Sequence, residues 1–147
     1  MSILERLTKG VETASAAATE ALAAELAAIL PVDATLALQG DLGCGKTTFV
    51  RGLARAWGIT EAITSPTYTI FTIHQGTRQL IHMDAYRLEI AGQAESLLVE
   101  DFLRSPFCLA IEWPERLGDW VPQTALRLQF SITPDMRHRI VLVEGRG

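Results

Sequence analysis

The feature that most constrains this chain is a glycine-rich loop at residues 40–47, Gly-Asp-Leu-Gly-Cys-Gly-Lys-Thr. It matches the phosphate-binding loop pattern, in which a glycine and four further residues precede Gly-Lys-Thr. Glycine lets the backbone curl until successive amide N–H groups point inward at phosphate oxygens. In this pattern Lys46 reaches the β- and γ-phosphates, and the Thr47 hydroxyl binds Mg²⁺. The loop therefore predicts nucleotide binding.

The segments on either side of the loop support this interpretation. Residues 35–39 are typical of a short buried strand, and residues 46–57 of a helix that Gly58 closes. The positive N-terminal end of that helix adds to the attraction for phosphate. A chance glycine-rich turn, the alternative, would not need this order of strand, loop and helix.

Length and composition limit the number of domains, the location and the partners that this protein can have. With 147 residues, 48% of them hydrophobic, the chain predicts one globular domain over residues 1–147. We find no apolar run of membrane-spanning length and no signal peptide, so we expect a cytoplasmic protein without a membrane partner. The formal net charge of −4 argues against a broad nucleic-acid surface, and DNA is not an expected partner. Neither Cys44 nor Cys108 belongs to a C-x-x-C pattern, so a disulfide is not expected.

Hydrophobic patterns predict the other elements. They are an edge strand at 3–8, a helix at 11–30, a hairpin at 69–74 and 79–84, an amphipathic helix at 93–103, a buried strand at 107–111, a short helix at 114–120 and antiparallel strands at 126–132 and 139–143. In the amphipathic helix, Leu97, Leu98 and Phe102 are predicted to face inward.

Two acidic residues end apolar runs, Glu112 after residues 107–111 and Asp84 after residues 80–83. In doubly wound sheets, ligands bind at the C-terminal ends of strands. A phosphate loop also needs an acid to complete the Mg²⁺ coordination. We therefore predict Glu112 as the metal-binding or water-orienting acid and Asp84 as a second acid. A solvated acid at a strand end is the alternative for each.

Three further features border this site. Trp113 is either a core residue or a lid near the nucleotide. His82, inside a strand, is more typical of a packed and hydrogen-bonded histidine than of a catalytic one. The hydroxyl-rich connection at residues 62–68 lies where phosphate-loop proteins often sense the γ-phosphate, and a plain loop is the alternative. The chain contains no Asn and no guanine-specific Asn/Thr-Lys-x-Asp loop, so ATP is favoured over GTP.

Four motifs together resemble a known family. They are Gly40-Asp41-Leu42-Gly43-x-Gly45-Lys46-Thr47-Thr48, Ser65-Pro66-Thr67-Tyr68-Thr69, His82-x-Asp84-x-Tyr86-Arg87-Leu88 and Ile111-Glu112-Trp113-Pro114-Glu115. Their order is that of the TsaE family, formerly YjeE, the small bacterial ATPases of tRNA threonylcarbamoyladenosine synthesis. The resemblance covers most of the chain, from about residue 11 to the late strands.

The resemblance implies a fold, an activity and partners. The fold is an α/β, P-loop NTPase-like three-layer fold with a mixed central sheet. The activity is binding and slow hydrolysis of ATP with Mg²⁺. The partners are TsaB and TsaD, which install a threonylcarbamoyl group on an adenosine of certain tRNAs. The ATPase would contact tRNA only indirectly, through that complex, and would not catalyse the transfer itself.

The patterns and the resemblance together assign four sets of residues. The catalytic set is Lys46, Asp84 and Glu112, and the metal-binding set is Thr47, Asp84 and Glu112. The nucleotide-binding set is Asp41, Leu42, Gly43, Cys44, Gly45, Lys46, Thr47, Thr48 and Trp113. The switch-like set is Ser65, Pro66, Thr67, Tyr68 and Thr69. Cys44 departs from the family, which usually has Ala at this position.

Two other functions remain open from the residues alone. A small-molecule kinase would need a second substrate pocket and usually a lid, and the chain after Glu112 has little length for a lid. A nucleotide-dependent binding module would keep the loop and lack useful turnover.

Overall fold

The computed structural model describes residues 1–41, 43–64, 71–86 and 98–143. The strands in this part of the chain are β1 (Val11–Thr13), β2 (Asp33–Gln39), β3 (Phe71–Gln75), β4 (Gln79–Asp84), β5 (Phe107–Glu112), β6 (Leu126–Ile132) and β7 (His138–Val143). The helices are α1 (Ile3–Lys9), α2 (Ala16–Ala27) and α3 (Lys46–Ala56), with two 3₁₀ turns at Pro114–Arg116 and Gly118–Trp120. Residues 98–102 are also helical.

The strands form one mixed sheet in the order β1-β7-β6-β2-β5-β4-β3. Strand β2 lies between β5 and β6 and is parallel to both, and β4 is parallel to β5. The outer pairs β1–β7, β6–β7 and β3–β4 are antiparallel. The register pairs Leu38 with Glu112 and Glu112 with Asp84, so the C-terminal ends of three central strands meet at one edge. The mixed central sheet predicted from the sequence is confirmed.

Two hydrophobic clusters place the sheet between two layers. On one face, side chains of α2 and α3 such as Leu26 and Phe49 pack with Leu38 of β2. On the other face, Val99 and Val121 pack in a second cluster with residues of β4 and β5. The predicted three-layer α/β fold is therefore confirmed. Among the described helices, none is both long and apolar enough to span a membrane.

The predicted edge strand at residues 3–8 is wrong, because these residues form α1. The Ser2 hydroxyl accepts the Glu5 backbone N–H at 3.1 Å, and the Glu5 carboxylate accepts the Ser2 N–H at 2.9 Å. This capping box satisfies two backbone donors at the start of the helix. Leu7 anchors the helix, since its side chain is fully buried. The Ser-x-x-Glu pattern was the sequence signal for this helix.

The predicted helix at residues 11–30 begins too early and ends too late. Its first residues form β1, which pairs with β7 through Val11–Ile140 and Thr13–His138. Helix α2 starts only after Ser15, whose hydroxyl accepts the Ala18 N–H at 3.1 Å. The pairing with β7 joins distant parts of the chain, so local periodicity does not predict it.

The prediction that Leu98 and Phe102 face the core is also wrong. Residues 93–97, including Leu97, lie outside the described part of the chain. Leu98 and Phe102 are 51% and 45% exposed, whereas Val99 is fully buried. The helical residues therefore turn Val99 to the core instead of Leu98. Phe102 contacts the Phe71 ring at a centroid distance of 5.8 Å and remains partly in solvent.

The other predicted elements are confirmed where the structure describes them. They are strand β2, helix α3, the β3–β4 hairpin, strand β5, the short helix after β5, which consists of two 3₁₀ turns, and the antiparallel β6–β7 pair. Gly58 follows α3 with φ +75°, as expected of a closing glycine. Cys44 and Cys108 are both free and buried, as predicted.

Candidate functional site

The glycine-rich loop leads directly into α3. Gly45 precedes the helix with φ +100°, a left-handed conformation that side chains with a Cβ rarely adopt. A Cβ at this position would also lie 2.6 Å from His138 Nδ1 at the start of β7. The loop backbone and the His138 ring are therefore in close contact, and only glycine fits between them. The N-terminal end of α3 faces the loop, which favours an anion there.

Lys46 is buried at the first position of α3, with 4% of its surface exposed. Its ammonium donates to the Gly40 carbonyl at 2.5 Å. The same ammonium lies 4.1 Å from the centroid of the Trp113 ring, within range of a cation–π interaction. The positive charge is thus held inside the loop by one carbonyl and one aromatic ring.

Glu112 joins the loop to the sheet. The Thr47 hydroxyl donates to Glu112 Oε2 at 3.0 Å, and His82 Nε2 lies 2.7 Å from the same oxygen. Burial by itself would raise the pKa of Glu112, but the hydrogen bond and charge of His82, the Thr47 hydrogen bond and the charge of Lys46 outweigh it. The pKa is lowered, so the carboxylate is ionised and accepts both hydrogen bonds.

Asp84 lies beside Glu112 in the β4–β5 register. Its Oδ1 accepts the Tyr86 backbone N–H at 2.9 Å. Burial raises the pKa of Asp84 and the charge of Glu112 raises it further, although the Tyr86 hydrogen bond opposes this. Two carboxyl groups and the phosphate loop thus lie at one edge of the sheet, as the strand-end argument predicts.

The raised pKa of Asp84 gives a prediction with a defined sign. The unfolded chain ionises Asp84 at a lower pH than the folded one, so the folded state loses stability as pH rises through that window. Asp84→Asn removes this loss and keeps an acceptor for Tyr86. We expect thermal melts to show a higher melting temperature than that of the wild type at neutral pH, and no gain near about pH 3. Asp119→Asn, on an exposed 3₁₀ turn, is the control. A less stable Asp84→Asn protein at neutral pH would contradict the prediction.

Trp113 follows β5 in a left-handed conformation with φ +61°. Its backbone N–H donates to the Leu38 carbonyl at 3.3 Å, which ties it to the strand that precedes the loop. Its ring contacts the Lys46 ammonium on one side and the Tyr86 ring, at a centroid distance of 4.8 Å. The side chain is only partly buried. The same side chain packs against the second hydrophobic cluster, so Trp113 borders both the core and the loop.

The donor set suits Mg²⁺. Thr47, Asp84 and Glu112 offer hydroxyl and carboxylate oxygens, the hard ligands that Mg²⁺ prefers. Within the described residues, no cluster of three or more His, Cys, Asp or Glu side chains could hold a metal by itself. Magnesium is usually bound by one or two carboxylates together with substrate phosphates and water. The residues therefore fit an ion that binds together with a nucleotide.

The structure brings five of the predicted site residues together. Lys46, Thr47, Asp84, Glu112 and Trp113 form one group, joined by the contacts above. Of the other loop residues, Asp41 and Gly43 are exposed, Cys44 is buried and Thr48 is partly buried. Leu42 and the switch-like residues Ser65, Pro66, Thr67, Tyr68 and Thr69 lie outside the described residues.

Sequence reasoning missed one neighbour of the site, His138, whereas the packed and hydrogen-bonded state predicted for His82 is confirmed. His138 contacts Gly45 from the far end of the chain, and no local pattern indicates this. His82 contacts Glu112 from the neighbouring strand. Its place two residues before Asp84 was the available signal, since alternate residues of a strand share a face.

Comparisons with known proteins agree on one family. A family model described as "Threonylcarbamoyl adenosine biosynthesis protein TsaE" matches residues 13–140. The chain is 36% identical over 123 residues to the Bacillus subtilis "tRNA threonylcarbamoyladenosine biosynthesis protein TsaE", covering 83% of this chain and 77% of that protein. It is 33% identical over 114 residues to the Treponema pallidum protein of the same name, covering 78% and 84%.

A solved structure is similar as well. The crystal structure of Bacillus subtilus YdiB superposes with a TM-score of 0.73 at 32% identity, covering 89% of this chain and 81% of that one. Every residue of the group around Lys46 and Glu112 lies within the matched residues 13–140.

Proposed function

The chain belongs to the TsaE family of threonylcarbamoyl adenosine biosynthesis proteins, and from this we propose that it is a slow, Mg²⁺-dependent ATPase that supports the TsaB–TsaD complex in tRNA modification. The observation that carries the ATPase proposal is the contact between the Thr47 hydroxyl and the ionised Glu112 carboxylate, beside the buried Lys46 ammonium. A cation, a hydroxyl and an acid around one glycine-rich loop support the binding of a nucleotide together with its metal ion.

The loop and Lys46 bind the phosphates of ATP in this proposal. Backbone N–H groups of the loop donate hydrogen bonds to the phosphate oxygens, and the N-terminal end of α3 attracts their negative charge. The Lys46 ammonium exchanges the Gly40 carbonyl for phosphate oxygens, which form stronger, charge-assisted hydrogen bonds. Trp113, next to that ammonium, covers the loop and keeps water from it.

The acids act on the γ-phosphate side. Thr47, Glu112 and Asp84 would hold Mg²⁺, which when bound neutralises charge on the β- and γ-phosphate oxygens. Glu112 accepts a hydrogen bond from the attacking water and so orients it. The water oxygen forms a bond to the γ-phosphorus as the bond to the bridging oxygen breaks, which yields ADP and inorganic phosphate. Both acids remain in place through this step, because each accepts hydrogen bonds from the protein.

Partners and location are part of the same proposal. Family membership supports an interaction with TsaB and TsaD in the cytoplasm. Contact with tRNA is then indirect, through that complex. We assign residues 65–69 the role of a segment that responds to the γ-phosphate and passes its state to the partners. This places turnover under the control of the assembly.

The test measures phosphate release by the purified protein, alone and with TsaB–TsaD and tRNA. We expect slow phosphate release by the protein alone and faster release with the complex. All of the phosphate should appear as free inorganic phosphate, with none transferred to a small molecule. Stoichiometric phosphorylation of a metabolite would favour a kinase instead. ATP binding without turnover under every condition would favour a binding module.

A further inference from the structure

His82 is a fully buried polar side chain on the strand next to the edge strand β3. It lies on β4 opposite Ala110 of β5, and its side chain is 0% exposed. Because side chains alternate along a strand, it shares a face with Leu80, whose side chain belongs to the core beneath the helices. An imidazole there loses its hydration and needs hydrogen bonds in return.

The two ring nitrogens of His82 differ. Nε2 lies 2.7 Å from Glu112 Oε2. An ionised carboxylate only accepts hydrogen bonds, so Nε2 carries the hydrogen and donates it. Nδ1 is buried and has no hydrogen-bond partner among the described residues. An unpaired buried polar atom costs free energy, so an apolar side chain would pack here at lower cost. The contribution of the imidazole therefore lies in the Nε2–H bond to Glu112.

That bond acts on the oxygen that Thr47 also contacts. Glu112 Oε2 accepts from Thr47, on the first turn of α3, and from His82, on the neighbouring strand. Two donors on different elements fix the rotation of the carboxylate more tightly than one. The second oxygen of Glu112 is then kept in a constant direction. A carboxylate that holds Mg²⁺ or orients water needs this constancy, since small misplacements reduce catalysis strongly.

We propose that His82 is a positioning residue, whose Nε2–H holds the Glu112 carboxylate in the orientation required for Mg²⁺-dependent ATP hydrolysis. The proposal rests on the proposed function, and it adds a residue that acts only through Glu112. His82 does not touch substrate in this arrangement.

The variants separate positioning from packing. His82→Leu removes the donor and keeps an apolar side chain of similar volume. His82→Gln keeps an N–H donor at nearly the position of Nε2. Leu80→Ala disturbs the same face of the same strand without contacting Glu112. Each variant is compared with the wild type for its melting temperature, its ATP affinity with Mg²⁺ and with EDTA, and its turnover.

Mg²⁺ should increase the ATP affinity of His82→Leu by about 10- to 100-fold less than it does for the wild type. Turnover should fall by a similar factor, the usual effect of losing a partner of a metal ligand. Affinity in EDTA should stay at the wild-type value. His82→Gln should recover most of the loss. Leu80→Ala should lower the melting temperature and leave both Mg²⁺-dependent quantities unchanged.

A second measurement needs no nucleotide. Nitrogen-15 NMR of the free protein should show the tautomer of His82 that is protonated at Nε2. Protonation at Nδ1 alone would overturn the proposal, as would a His82→Leu protein that matches Leu80→Ala. If the wild type neither binds nor hydrolyses ATP, the proposed function fails and the positioning role fails with it. If the wild type is active and only the His82 variants disagree, the positioning role alone is overturned.

Discussion

Lys46→Ala is expected to weaken ATP binding in the presence of Mg²⁺ by about 100-fold or more. Hydrogen bonds to charged groups contribute about 1.5–3 kcal/mol each, so losing two of them costs about 3 kcal/mol or more. The ammonium is already buried inside the loop, held by Gly40 and Trp113. Little ordering is therefore needed before it binds phosphate. Isothermal titration calorimetry measures the affinity, and circular dichroism checks that the variant is folded.

Lys9 provides a matched control, since it is the only other lysine in the sequence. It lies at the exposed C-terminal end of α1. Lys9→Ala removes the same charge from the molecule, so a general electrostatic effect would appear in both variants. We expect its ATP affinity to change by less than about twofold. Equal affinities for Lys46→Ala and the wild type would refute the assignment of the loop.

Glu112→Gln should abolish turnover while ATP remains bound. The amide oxygen of Gln can still accept hydrogen bonds from Thr47 and His82, so the local structure is preserved. The negative charge is lost, and with it the acceptor strength that orients water and the ionic contact to a metal. We expect phosphate release to fall by about 100-fold or more, as is typical when the reacting groups lose their orientation. Single-turnover phosphate release and calorimetry measure the two quantities separately.

Glu115→Gln is the control for this variant. Glu115 is exposed on the 3₁₀ turn that follows, three positions further along the chain. Its loss should leave binding and turnover unchanged. Wild-type turnover in Glu112→Gln would show that Glu112 has no role in hydrolysis. Loss of ATP binding would show that its main role is in binding the nucleotide.

The glycine-rich loop was recognisable in the sequence because phosphate chemistry places its requirements close together in the chain. A loop that binds phosphate needs Gly, Lys and Thr at set intervals, so residues 40–47 are recognisable without a structure. Asp84 and Glu112 were predicted by a rule about strand ends, which depends only on finding the strands. The sheet register then places these two acids side by side.

The errors have a common physical origin. Pairing of β1 with β7 converts the start of a predicted helix into a strand, through partners more than a hundred positions away in the sequence. The contact of His138 with Gly45 likewise joins the glycine-rich loop to a strand far along the chain. Neither interaction leaves a local periodicity. The missed helix α1 differs, since its capping box was readable in Ser2 and Glu5.

The separation of the site along the chain has a consequence for synthesis on the ribosome. The phosphate loop emerges early, whereas Glu112 follows Thr47 by 65 positions. Strand β2 finds both parallel neighbours, β5 and β6, only after they too have been translated. A nascent chain that ends before β5 thus carries the loop without the acid that completes it. Under the proposed function ATP would bind only after β5 has joined the sheet, and bound ATP should then slow amide hydrogen exchange in β2 and β5.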